Sequence, residues 1–226
     1  MSKLYIIATP IGNLEDLTFR SERILKEVDF ILAEDKRVTI KLINYYNIKT
    51  KLLTWHQHSG KKDWIKIKEI LKDRKNIALV SDAGTPGLSD PGGKLIELVL
   101  KEFKGLKIIP IPGPSALASI ISVAGIPLDR FEFLGFLPHK KGRKKLIDYI
   151  KISKIPIIFF ESVHRILKTL ESLKDSDKYV IVGRELTKKF ETIYRGKVKE
   201  VLNILENDKK QLKGEFVIVI NKIKII

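Results

Sequence analysis

The chain has 226 residues, no cysteine and a formal net charge of +16. The lack of thiols excludes a disulfide framework, thiolate catalysis and Cys-ligated metal centres, and no apolar run reaches the roughly 18–20 residues of a membrane span. With 44% hydrophobic residues the chain can bury a core, which excludes intrinsic disorder, and its start, Met1-Ser2-Lys3-Leu4, shows no signal-peptide pattern, so a cytoplasmic protein is expected.

In chain order, Leu4 to Thr9 predicts a buried parallel strand, Phe19 to Val28 a helix, Phe30 to Glu34 a strand, and Lys36 to Tyr46 and Lys62 to Asp73 helices. Asn76 to Asp82 predicts a further strand, Gly93 to Phe103 a helix and Lys107 to Ile111 a strand. This alternation implies an α/β fold with a largely parallel open sheet. Pro110, Pro112, Gly113 and Pro114 mark a boundary, giving an N-terminal domain over 1–112 and a C-terminal domain over 113–226. Beyond it, Ser115 to Val123 and Lys144 to Ile152 read as helices. Phe131 to Phe136, Pro156 to Glu161, Tyr179 to Arg184, Phe190 to Arg195 and Glu215 to Ile220 read as strands. The short connections between the closing strands predict antiparallel pairing in a mixed sheet.

Ligands of open α/β sheets bind beyond the carboxyl ends of the strands. The first such loop, Ala8-Thr9-Pro10-Ile11-Gly12-Asn13, taken alone is an ordinary strand-to-helix turn. The loop from Ser81 to Gly93 is denser: four glycines, two prolines, Asp82 and Asp90. It cannot bury a core of its own. Its glycines permit close backbone approach to a ligand, although Asp90 also suits a helix cap. Ile111-Pro112-Gly113-Pro114-Ser115-Ala116 joins a rigid turn to a helix start, where Ser115 is a candidate N-cap and free N–H groups could face a carboxylate. Neither the three-glycine dinucleotide fingerprint nor a Gly-Lys-Ser/Thr phosphate loop is present.

Those three loops, together with Ala33-Glu34-Asp35-Lys36-Arg37, resemble the tetrapyrrole-methylase-like superfamily. Its members are S-adenosylmethionine-dependent methyltransferases of two α/β domains, with the cofactor in the cleft between them. Phe133-Leu134-Gly135-Phe136-Leu137-Pro138, Phe160-Glu161-Ser162-Val163-His164-Arg165 and Gly183-Arg184-Glu185-Leu186-Thr187-Lys188 are similar to one branch. That branch methylates the ribose 2′-hydroxyl of a cytidine in the decoding region of 16S rRNA. The likeness runs from about residue 4 to residue 220. It implies S-adenosylmethionine contacts at Pro10 and Gly12, at Asp82, Ala83 and Gly84 for the methionine and ribose end, and at Ser115 and Ala116. Leu186, Thr187, Gly214 and Glu215 would lie near the adenine. A homodimer is also implied. The chain stops soon after the last strand, so contacts made by a C-terminal module of some relatives do not carry over.

Methyl transfer from a sulfonium to a ribose hydroxyl needs a general base or a cation that lowers the hydroxyl pKa, and it needs no metal. Base candidates are Glu34, Asp35, Asp90, Glu161, His164 and Glu185. Glu161, His164 and Arg165 form a second-domain set because three ionisable groups follow an apolar strand. Lys36 and Arg37 could neutralise phosphate. So could Lys140, Lys141, Arg143 and Lys144, within a segment, His139 to Lys145, that carries five cations among seven residues. Cations at a helix start oppose the helix dipole, a cost that a bound polyanion such as rRNA would offset. The high lysine content, 34 of the 43 basic residues, can also reflect A/T-rich coding. Two other readings remain open at this point: a methylase acting on a tetrapyrrole carbon, and a non-catalytic RNA- or ribosome-binding protein.

Overall fold

In the computed structural model, which describes residues 2–207 and 212–222, the chain divides into two units, Met1–Ser115 and Ala116–Ile226. The first is built from β1 (Lys3–Ile7), α1 (Phe19–Glu27), β2 (Phe30–Ala33), α2 (Lys36–Tyr45), β3 (Lys51–Thr54), α3 (Lys61–Lys72), β4 (Ile77–Val80), α4 (Gly92–Glu102) and β5 (Lys107–Ile111). Its sheet has the order β3-β2-β4-β1-β5, with every pairing parallel.

Two-residue alternation along the strands splits the core into two layers. Leu4, Ile6, Leu32 and Leu79 pack with Ile67, Leu71, Leu95 and Val99 of α3 and α4. Ile7, Ile31, Ala33 and Val80 pack with Ile24, Leu25, Leu42 and Ile43 of α1 and α2. Central β4 is buried at all four positions, as its unbroken apolar run requires. Strand β5 departs from expectation: it lies at the sheet edge and only Ile111 is buried. An edge position also tolerates Pro110, whose missing N–H removes no needed ladder bond.

The second unit comprises α5 (Ala116–Ser122), β6 (Glu132–Phe136), α6 (Arg143–Ile152), β7 (Ile157–Ser162), α7 (Ile166–Leu173), β8 (Tyr179–Arg184), β9 (Thr192–Lys197), α8 (Val198–Asn207) and β10 (Glu215–Asn221). Its sheet runs β6-β7-β10-β8-β9. β6 and β7 are parallel and the other pairings antiparallel, so the sheet is mixed. Phe159, Val180, Val182 and Ile218 on one face pack against Ile150 of α6, Ile166 and Leu170 of α7, and Val201 and Leu205 of α8. Ile120 of α5 reaches Gly183 of β8, where an added Cβ would stand 2.7 Å from the Ile120 Cδ1. Ile120 is therefore part of the core. No helix among the described residues is long and apolar enough to cross a membrane.

Candidate functional site

In the first unit the loops after β1, β4 and β5 are tied to one another. Thr9 and Gly84 exchange both backbone hydrogen bonds, at 2.9 and 3.0 Å. The Thr9 hydroxyl donates to the Ser81 carbonyl at 3.1 Å, and the Thr85 hydroxyl donates to the Pro114 carbonyl at 3.2 Å. Gly84 sits at φ +79, the left-handed region that side chains avoid. A Cβ there would be 3.4 Å from Ile11 Cγ2 and 3.7 Å from the Pro114 oxygen. The structure thus brings Pro10, Gly12, Ala83, Gly84 and Ser115 to the same end of one parallel sheet.

Behind these loops lies a group of carboxylates. Asp82 Oδ1 accepts the Asp35 amide N–H at 2.9 Å. Burial raises the Asp82 pKa, opposed by that amide and reinforced by the Asp35 carboxylate. Glu34 lines a small recess with Trp55, Ser81, Pro86 and Asp90. Its pKa is also raised, first by burial and then by the charge of Asp82, with Asp90 adding to it. The other acids here are committed elsewhere. Asp35 caps α2 and is clasped by Arg37 at 2.6 Å, which lowers its pKa. Asp90 Oδ1 accepts the amides of Gly87 and Gly92 at 2.6 and 2.7 Å, one residue ahead of Pro91, the N-cap of α4. The indole Nε1 of Trp55, a residue only 1% exposed, has no acceptor; nothing in the sequence marked Trp55 as part of this recess. Lys36 and Arg37 are both exposed, and Arg37 is in addition paired with Asp35.

In the second unit the strand ends of β8 and β10 form another cluster. The Glu185 amide donates to the Glu215 carbonyl at 3.0 Å, and Glu185 Oε1 accepts the Glu215 amide at 3.0 Å. Lys188 bridges both carboxylates, each at 2.8 Å. Burial works to raise the Glu185 pKa, but Lys188 and the Glu215 amide outweigh it and hold the pKa low. A Cβ on Gly214 would fall 2.3 Å from the Glu185 carboxyl carbon, so glycine is required for this closure. Leu186 is buried beside it. Thr187 sits at φ +66, and its buried hydroxyl has no hydrogen-bond partner. A buried polar atom left unbonded is uncommon enough to need a reason.

Glu161 is placed differently from what its sequence position implies. Its side chain is 0% exposed and paired with Arg143 at 3.2 Å and Arg165 at 2.7 Å. It also accepts the Thr169 hydroxyl at 2.7 Å and the Ser162 amide at 2.9 Å. No face of this carboxylate is open to a substrate hydroxyl. Arg143 is correspondingly only 13% exposed and does not belong with the exposed cations Lys140, Lys141 and Lys144. His164 is exposed on the turn between β7 and α7, outside that network of bonds. Among the described residues, no three His, Asp or Glu side chains gather into a group that could hold a metal ion.

Residues 3–202 match the family model described as Tetrapyrrole (Corrin/Porphyrin) Methylases. The chain is 44% identical over 223 residues to a ribosomal RNA small subunit methyltransferase I from Thermotoga maritima, covering 98% of this chain and 99% of the relative. It is equally identical, over 225 residues, to the protein of the same name from Bacillus subtilis, covering 97% of this chain and 75% of that one. Among solved structures it is similar to a uroporphyrin-III C-methyltransferase from Thermus thermophilus, complexed with S-adenosylhomocysteine. That likeness has a TM-score of 0.66 at 15% identity, covering 97% of each chain, and it is a likeness of fold.

Proposed function

The chain belongs to the tetrapyrrole (corrin/porphyrin) methylase family, in its ribosomal RNA small subunit methyltransferase I group, and from that premise we propose that it transfers a methyl group from S-adenosylmethionine to the ribose 2′-hydroxyl of a cytidine in the decoding region of 16S rRNA. It would do so in the cytoplasm, as a pair of identical chains. The observation that carries the cofactor reading is Thr187: a buried, unbonded hydroxyl at a left-handed backbone position. Such an atom fits a site completed by a polar ligand.

When bound, S-adenosylmethionine supplies an electrophilic methyl group on a sulfonium. In the first unit, Pro10, Gly12, Gly84, Ser115 and Ala116 offer backbone approach. Asp82, fixed through one oxygen by the Asp35 amide, keeps its second oxygen for an ammonium or ribose hydroxyl, and Ala83 is exposed beside it. In the second unit, Leu186 supplies an apolar surface, Thr187 a hydrogen bond, and Gly214 and Glu215 the adjoining strand end. We assign Glu34 as the acceptor of the proton from the attacking hydroxyl, because it lines the recess beside the loop after β4 and burial raises its pKa above the ordinary carboxylate value.

The assignment has a sign that can be checked. A carboxyl whose pKa is raised on folding binds its proton more tightly in the folded state. Its contribution to stability is therefore lost as pH rises through the folded pKa. Glu34→Gln removes that cost, so the variant should unfold at an equal or higher temperature at pH 7 while cofactor affinity holds. Methylation should fall by about 10²–10⁴, and the acidic limb of the pH–rate profile should disappear. Unchanged kcat would remove Glu34 from the chemistry.

The overall reading is tested by offering labelled S-adenosylmethionine with small subunits, naked 16S rRNA and a precorrin-type substrate. Label should appear in 2′-O-methylcytidine after nuclease digestion. Label in the precorrin would return the chain to tetrapyrrole carbon methylation.

A further inference from the structure

Strand β6 is the edge of its sheet, and its last residue, Phe136, is 56% exposed. The register of β6 against β7 shifts between Phe133 and Phe136, and Gly135 adopts φ +59. The first four residues of β6 are half-buried, and past this irregularity the strand ends on the exposed Phe136. The ring is still held: it leans on Phe160 at 5.3 Å between centroids, and Phe160 meets Phe133 at 5.0 Å. Lys140 and Lys141 follow a few residues on, and Lys144 and Lys145 open α6; all four are exposed. The first turn of α6 contains no acidic residue to offset them.

The loop between Phe136 and these lysines is clamped from below. Arg143 Nη1 donates to the Pro138 carbonyl at 3.2 Å and Arg165 Nη1 to the Leu137 carbonyl at 2.7 Å. Both guanidinium groups are anchored on buried Glu161. A surface fixed in advance binds with less loss of conformational freedom.

We propose that this corner is a docking platform for single-stranded RNA: an unpaired base stacks on Phe136, and the flanking phosphates lie against Lys140 and Lys141. Arg143, Arg165 and Glu161 are its positioning residues. The proposal rests on the RNA reading above and adds where the strand binds and in what form. Paired RNA keeps its base faces stacked inside the helix, so a lone ring beside cations has use only for an unpaired base. An aromatic ring next to a basic stretch is the combination that binds single strands.

The test uses the full chain, a short unstructured oligoribonucleotide and a perfectly paired RNA duplex, with affinity measured across a salt series. The single strand should bind more tightly than the duplex. Phe136→Ala should weaken single-strand binding by about tenfold or more with an unchanged salt slope. Phe136→Trp should keep the affinity, and its emission should be quenched by RNA. Lys140→Gln with Lys141→Gln should instead flatten the slope of log affinity against log salt, by roughly 1.4. Phe136 is exposed, so these variants keep the fold, which the thermal midpoint verifies. Equal affinity of Phe136→Ala and the parent, or a preference for duplex, overturns the platform while the RNA reading stands. A change in light-scattering mass on Phe136→Ala, without a change in RNA affinity, assigns the ring to a contact between copies and also overturns it. A parent chain that binds neither RNA removes the RNA reading itself.

Discussion

Glu161→Gln should destabilise the protein by about 3–5 kcal/mol, the range for breaking a buried ion pair by removing one partner. The carboxylate faces two guanidinium groups, 13% and 14% exposed, while itself being 0% exposed. Removing its charge leaves two nearly buried cations facing each other without compensation. The residual exposure of the arginines places the expected loss at the lower end of that range. The natural control is Lys174→Gln, which breaks an ion pair with Glu171 whose side chains are 38% and 50% exposed. Exposed pairs of this kind contribute little, because solvent screens them. Urea midpoints of the two variants should therefore differ widely. A Glu161→Gln loss below about 1 kcal/mol would show that the cluster braces nothing, because the penalty for unpaired buried charge would be missing. A variant of parental stability with kcat abolished would instead return Glu161 to the chemistry as a base.

The same residue shows how far the sequence could be read. That an ionisable group ends the apolar strand β7 is plain from the run Ile157 to Phe160. That its charge is consumed by Arg143 is not, because Arg143 lies 18 residues earlier and looks like one member of a lysine-rich segment. Thr169, the third partner, carries no signal at all. The fold was more legible. Apolar runs placed β1, β2, β4 and β8, because central strands buried on both faces leave no polar positions to confuse the pattern. β3 carries no such signal: only Leu53 of its four residues, Lys51 to Thr54, is buried at this sheet edge, too short a run for periodicity to register. Strand β9 was placed too early, because Phe190 reads as strand-forming yet is 64% exposed and lies before the first paired residue, Thr192. Helices α7 and α8 were not anticipated, although Ile166, Leu170 and Leu173, and Val198, Val201, Leu202 and Leu205, carry helical spacing. The sequence marks the glycine-dense loop after β4 as one that permits close approach to a ligand; in the structure the neighbour that pairs with Gly84 is Thr9.

Gly84→Val should abolish measurable S-adenosylmethionine binding by calorimetry while the protein stays folded. Two costs act together at this position. A left-handed backbone costs a side-chain-bearing residue about 1–2 kcal/mol, more for a β-branched one. A Cβ would also stand 3.4 Å from Ile11 Cγ2, and the branches of valine reach further, toward the Pro114 carbonyl and Ser115. The backbone can relieve this only by giving up the paired hydrogen bonds to Thr9, which separates the loops after β1 and β4 and moves Asp82 with them. Gly87→Ala distinguishes that displacement from backbone strain alone. Gly87 has φ +93, in the same left-handed region, but nothing lies within 4 Å of its Cβ position. It should therefore lose stability on the scale of the backbone term and keep its cofactor affinity. If Gly84→Val binds as tightly as the parent, the loops after β1 and β4 do not touch the cofactor. If Gly87→Ala loses binding equally, strain anywhere in this segment suffices and the close approach at Gly84 is not what the ligand requires.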